Sequence, residues 1–170
     1  AVTSDGVNTS LLYRKSESDE FKSILTTDFK EGISPLFFTF DNKNIYVSSN
    51  RGRDKSAIYE FNIEQVQETK LIFEHEEVDV SSLMYSSKRK VLTGVNYTVA
   101  KTERVFFDDW RKNIQNKLEE KLPGYEVGIT SFSKDEIKAV VVSYSDKSRG
   151  TYYIYDISEN KLTDLGKVSP

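Results

Sequence analysis

Gly124-Tyr125-Glu126-Val127-Gly128-Ile129-Thr130-Ser131-Phe132-Ser133-Lys134-Asp135-Glu136 opens the stretch that decides the fold. It continues through residues 137–146, then Gly150-Thr151-Tyr152-Tyr153-Ile154-Tyr155-Asp156-Ile157, then Lys161-Leu162-Thr163-Asp164-Leu165-Gly166. Four short runs of β-branched and aromatic residues are cut by turn residues at intervals of roughly ten residues. That rhythm predicts a four-stranded antiparallel meander.

Upstream, the rhythm repeats. Residues 33–40 are apolar at most positions and predict a strand buried on both faces. Asp41-Asn42-Lys43-Asn44 is a tight turn, in which Asx residues tolerate left-handed backbone. Residues 45–49, 57–63 and 69–74 complete a unit over 33–78, with a polar loop at 50–56. A third unit, 79–124, begins the same way with strands over 80–85, 91–98 and 104–107. Residues 1–32 hold two strand-like runs, 10–15 and 21–29, and predict half a unit.

The third unit then breaks the pattern. Asp108-Asp109 offers an N-cap, and Trp110, Ile114, Leu118 and Leu122 follow at helical spacing until Pro123-Gly124 stops them. This predicts an amphipathic helix over about 109–122 standing where a fourth strand belongs. Its apolar stripe is expected to cover the outer edge of its own unit.

Phe40-Asp41, Tyr85-Ser86 and Phe132-Ser133 align as aromatic-to-turn junctions about 45 residues apart. Ile58-Tyr59-Glu60-Phe61, Val105-Phe106-Phe107-Asp108 and Tyr153-Ile154-Tyr155-Asp156 align as third strands. Four strands per period of this length predict an all-β fold, a partial β-propeller of about three and a half blades. The boundaries are a half blade at 1–32, a blade at 33–78, a helix-bearing blade at 79–124 and a final blade at 125–168. An open arc leaves sheet edges uncovered. It therefore either belongs to a closed ring or self-associates through those edges. The start at Ala1-Val2-Thr3 and the end at Ser169-Pro170 fit a piece of a longer protein.

Composition excludes several functions. A net charge of −3 gives no electrostatic footprint for nucleic acid. No run approaches the roughly 18 apolar residues of a membrane helix. Absence of cysteine removes disulfides, thiol catalysis and cysteine zinc sites, and suits a bacterial cytoplasm as well as a periplasm. No cofactor motif occurs, and no pair of acids suggests general acid–base work. His75, the one histidine, sits in Glu74-His75-Glu76-Glu77 near Asp79. Imidazole and carboxylates can ligate metals, but consecutive loop residues favour simple solvation, and no metal site is expected. Lys88-Arg89-Lys90 reads as a solvated turn. Asn8-Thr9-Ser10 and Asn96-Tyr97-Thr98 fit the glycosylation sequon without a secretory signal to give it meaning.

The order of elements from the helix onward resembles a known family. The segment 107–110 with 118–124, then Ser131-Phe132-Ser133-Lys134-Asp135, then Val142-Ser143-Tyr144-Ser145-Asp146, then 150–156 and 161–166 carry the likeness. The succession resembles the late blades of the N-terminal propeller in the prolyl oligopeptidase family of serine peptidases, especially its acylaminoacyl-peptidase-like branch. The likeness is firm over about residues 100–168 and looser before.

The resemblance implies a propeller followed by an α/β-hydrolase domain carrying a nucleophilic serine in Gly-x-Ser-x-Gly, then Asp and His. That motif is absent here. The implied role is therefore non-catalytic: gating or shaping peptide access to a hydrolase domain beyond the C-terminus, which would be the partner of this segment. No catalytic residue is expected within the chain. The rival role is a non-enzymatic propeller that binds a protein or small ligand on a loop face.

Arg51 and Arg53 flank Gly52 in the loop between second and third strands, and Arg104 and Arg149 lie at or near the corresponding loops. Such loops share one face of a blade. Arg51 and Arg53 are the candidate substrate-binding residues, since guanidinium binds a peptide carboxylate bidentately. A solvated loop is the alternative for both.

Overall fold

The computed structural model describes residues 1–168; the expectation attached to Ser169 and Pro170 lies outside them. Among these residues, fourteen strands form four antiparallel sheets, accompanied by one helix. The all-β class with one helix therefore holds, and each sheet is a consecutive meander of the kind that makes a propeller blade. The chain divides into two compact units, residues 1–85 with 91–105, and residues 86–90 with 106–170.

The first unit contains three sheets. Strands β1 (Val2–Ser4), β2 (Thr9–Tyr13) and β3 (Lys22–Thr27) form the first. It has one strand more than the two runs visible in the sequence, because Val2-Thr3-Ser4 is short and fully exposed and leaves no hydrophobic pattern. The second sheet is β4 (Ile33–Phe38), β5 (Asn44–Ser49), β6 (Ala57–Asn62) and β7 (Gln67–Phe73). The third is β8 (Ser82–Ser86), β9 (Val91–Thr98) and β10 (Thr102–Phe106).

Burial corrects one expectation. Strand β4 is an edge strand, half exposed along its length, and Phe38 is 48% exposed. Pro35 lacks an N–H for a second ladder and belongs at such an edge. The strand buried on both faces is β5. Ile45 and Val47 pack with Leu11, Ile33 and Phe61 on one side. Tyr46 packs with Ile58, Val80, Leu83 and Val95 on the other. The Ser48 hydroxyl, fully desolvated, donates to the Val80 carbonyl at 2.9 Å, as buried polar groups must find a partner.

The second unit contains α1 (Asp109–Lys121) and the sheet β11 (Glu126–Phe132), β12 (Lys138–Ser145), β13 (Ser148–Asp156) and β14 (Lys161–Lys167). The helix lies where the sequence placed it. Asp108 is the N-cap, extended at φ −135° and accepting the Arg111 amide at 2.9 Å. Its apolar stripe does something other than cover the edge of its own blade. Ile114 and Leu118 pack on Val127, Ala139, Val141 and Tyr155, so the helix covers the face of the sheet that follows it. Gln115, on the nominally polar side, is 1% exposed and donates to the Val127 carbonyl at 2.8 Å, fastening helix to strand.

The repeat is stricter than the sequence alignment suggested. Thr39, Asp41 and Asn42 make the same turn as Ser133, Asp135 and Glu136. A hydroxyl donates to a carboxylate at 2.7 and 2.6 Å, and the following residue is left-handed at φ 58° and 55°. Phe38-Thr39 is therefore the counterpart of Phe132-Ser133, two residues before the pair Phe40-Asp41. On the third strands, Asn62 and Asp156 each accept an amide three residues on, at 2.7 and 3.0 Å. The left-handed residues Val66 and Asn160 follow. One constant offset relates every pair.

Candidate functional site

The loop at 50–56 is rigid before any ligand arrives. Asn50 accepts the Gly32 amide at 2.6 Å and donates to the Lys30 carbonyl at 3.1 Å. Gly52 is left-handed at φ 67°, and its amide donates to Glu31 at 2.8 Å. The two candidate arginines flanking it have different fates.

Arg53 turns back onto its own sheet. Nη2 donates to Glu68 Oε2 at 2.8 Å, Nη1 to the Ser49 carbonyl at 3.2 Å, and the guanidinium lies 4.3 Å from the Tyr59 ring centre. Burial weakens its hold on the proton, but Glu68 more than restores it, and the net effect is a pKa above the ordinary arginine value. Its guanidinium is spent on the fold. Arg51 is half buried and forms no ion pair among the described residues. Of the two, it alone keeps an available charge.

Arg104 and Arg149 are on strands β10 and β13 rather than in loops. They belong to different units, so the four arginines make no common cluster within one unit.

His75 is engaged locally. Its Nδ1 accepts the Glu77 amide at 3.1 Å, and its ring sits 4.6 Å from Tyr97, which in turn stacks on Phe73. Among the described residues no group of three or more His, Asp or Glu is arranged to hold a metal.

A charged cluster that the sequence did not reveal lies in the second unit. Arg89, on the turn after β8, forms a two-point ion pair with Asp108, Nη1–Oδ2 at 2.6 Å and Nη2–Oδ1 at 2.9 Å. Its guanidinium also lies 4.5 Å from the Trp110 ring centre. Glu136, 9% exposed, accepts the Ser86 hydroxyl on Oε1 at 2.6 Å. Its Oε2 is 3.5 Å from Arg89 Nε, within ion-pair range but without a hydrogen bond. Lys88 donates to the Asp135 carbonyl at 2.8 Å. Hydrogen bonding from Arg89 lowers the Asp108 pKa, against a smaller opposing effect of burial. The basic triplet gave no hint of this. Arg89 finds Asp108 19 residues along the chain and Glu136 farther still, separations that carry no local pattern.

None of these groups forms a nucleophile–base pair. What the arrangement supplies is rigidity and, at Arg51, a guanidinium outside any ion pair among the described residues.

Over 159 residues, 93% of its length, the chain is 27% identical to dipeptidyl aminopeptidase BIII of Pseudoxanthomonas mexicana. It is a distant relative of a peptidase. The match spans 22% of that protein, so the chain has about a fifth of the relative's length. No protein-family model matches it.

Proposed function

We propose that this chain is a non-catalytic propeller segment of a serine peptidase, one that gates or shapes the approach of peptides to an α/β-hydrolase domain elsewhere in the same protein. The observation that carries this is the pairing of extent and content. Similarity to a dipeptidyl aminopeptidase runs through 93% of the chain, and the described residues form blade-like sheets with no catalytic constellation among them.

Gating of this kind needs no reactive side chain. It needs stiff walls, and closely packed sheets tied by buried polar contacts supply them. On this reading Arg51 is the one arginine of its loop able to meet a peptide carboxylate, and Arg53 holds the loop in place.

The test uses the whole protein that carries this segment. Dipeptidyl substrates and long unfolded polypeptides should be cleaved while a folded protein of the same composition is spared. Cross-linking the sheets shut should abolish turnover of the longer substrates first. Equal cleavage of folded and unfolded protein would overturn gating.

A further inference from the structure

The β4–β5 and β6–β7 turns lie at the end of their sheet opposite the 50–56 loop. There the first and second sheets part to leave a groove of about 510 Å³. Its floor is apolar. Leu11, Ile45 and Ile63 are buried core residues fixed by packing on one another, and Leu36 lines the groove beside them. Phe21 and Phe38 also line it, each nearly half exposed, and so stand at its rim. A preformed concavity of this size, mostly apolar with few polar groups, is the usual form of a small-ligand site. Gating makes no use of it.

One cation is held over the rim. The Arg14 guanidinium lies 4.8 Å from the Phe21 ring centre, and its Nη1 donates to the Glu17 carbonyl at 3.0 Å. These contacts fix the side chain without neutralising it, for Arg14 forms no ion pair among the described residues. With Nη1 engaged, Nε and Nη2 remain as one two-donor edge, the geometry that a carboxylate matches. Lys15 and Glu17 are both exposed on the same rim and offset each other in charge. The Ala1 amino group is taken up by the Leu12 carbonyl at 3.0 Å. Arg14 therefore sets the sign of the rim.

We propose that this groove binds a small amphipathic carboxylate, its apolar body between the two sheets and its carboxylate on the free edge of Arg14. Holding Arg14 in place beforehand reduces the entropy lost on binding. A neutral ligand of the same shape gains only the apolar contact, and a cationic one meets repulsion as well. The site lies at the other end of the strands from Arg51 and does not depend on the peptidase reading.

Octanoate, 1-octanol and octylammonium share one apolar body and differ in charge. Each is titrated into the full chain at neutral pH and low salt, with backbone amide NMR shifts as the readout. Octanoate is expected to bind saturably and about tenfold tighter than 1-octanol, as one charge-assisted contact allows. Its shifts should concentrate at residues 11–17, 21–24 and 35–38. Octylammonium is expected to bind weakest. Arg14→Gln, a change at an exposed side chain, should bring octanoate down to the affinity of 1-octanol and leave 1-octanol unchanged. Arg14→Lys should restore only part of the difference, because it lacks the two-donor edge. Equal affinity for the three probes, shifts away from the groove, or octanoate binding unchanged in Arg14→Gln would overturn the proposal. So would dimerisation of the chain that Phe38→Ser abolishes, which would make a second copy the occupant.

Discussion

Phe61 and Tyr155 hold the same position in two different sheets. Each lies on a third strand, each is fully buried, and each pairs across to a buried residue of the second strand, Ile45 and Ala139 respectively. Tyr155 adds a hydroxyl that donates to Asn160 at 2.7 Å. Phe61→Ala should cost about 3–5 kcal/mol, the range for emptying a well-packed aromatic site. Tyr155→Phe should cost about 1 kcal/mol, since it removes one hydrogen bond and little volume. Urea denaturation of the two variants checks both.

That equivalence shows what the sequence could and could not yield. Strands and turns were legible because alternation and Asx chemistry are local. The helix was legible from its cap, its stripe and its Pro-Gly stop. The register between repeats was missed because aromatic residues cluster on both sides of the turn. Phe37, Phe38 and Phe40 look alike in sequence, and only the Thr39–Asp41 hydrogen bond singles out the counterpart of Phe132-Ser133. The face covered by α1 was missed for a related reason. A stripe tells that a helix is buried, never by what. Of the two candidate arginines, Arg53 found its partner Glu68 across a strand pair, where no local signal exists.

Arg53 and Glu68 should behave as a structural pair. Arg53→Ala leaves both Glu68 oxygens without a partner, since Oε1 already lacks one. The expected loss is about 2 kcal/mol, below the figure for a fully buried pair because the arginine keeps some solvent. Arg51→Ala should leave stability within about 0.5 kcal/mol, as for an ordinary surface change. On the proposed function, Arg51→Ala raises KM for peptides in the whole protein. An unchanged KM would remove it as a substrate contact.

Acid should weaken the second unit through Asp108. Its folded pKa lies below the ordinary aspartate value because Arg89 hydrogen-bonds the ionised form. The stability it contributes is therefore complete above a pH of about 4 and is lost as pH falls through the lowered value. Asp108→Asn should reduce stability at pH 7 and flatten its dependence on pH below about 4. Thermal unfolding across that range, with tryptophan emission from Trp110 as the readout, measures both effects.

Gly150 and Gly52 should respond unequally to alanine. Both are left-handed, at φ 124° and 67°. A Cβ at Gly150 would lie 3.0 Å from the Ser143 carbonyl oxygen, whereas one at Gly52 meets nothing within 4 Å. Gly52→Ala should cost about 1 kcal/mol of backbone strain. Gly150→Ala should cost roughly twice that or more, because strain and a backbone clash add. Equal losses in denaturation midpoint would contradict the packing described around β12 and β13.

The central claim is that chemistry resides outside this segment, in a serine hydrolase domain of the same protein. Labelling the whole protein with a fluorophosphonate, digesting it and locating the modified serine tests this most directly. The account predicts a single modified serine lying outside residues 1–170, with peptidase activity lost as it is modified. Modification of a serine within these residues that abolishes activity, or full peptidase activity in a fully exposed but unlabelled protein, would contradict it.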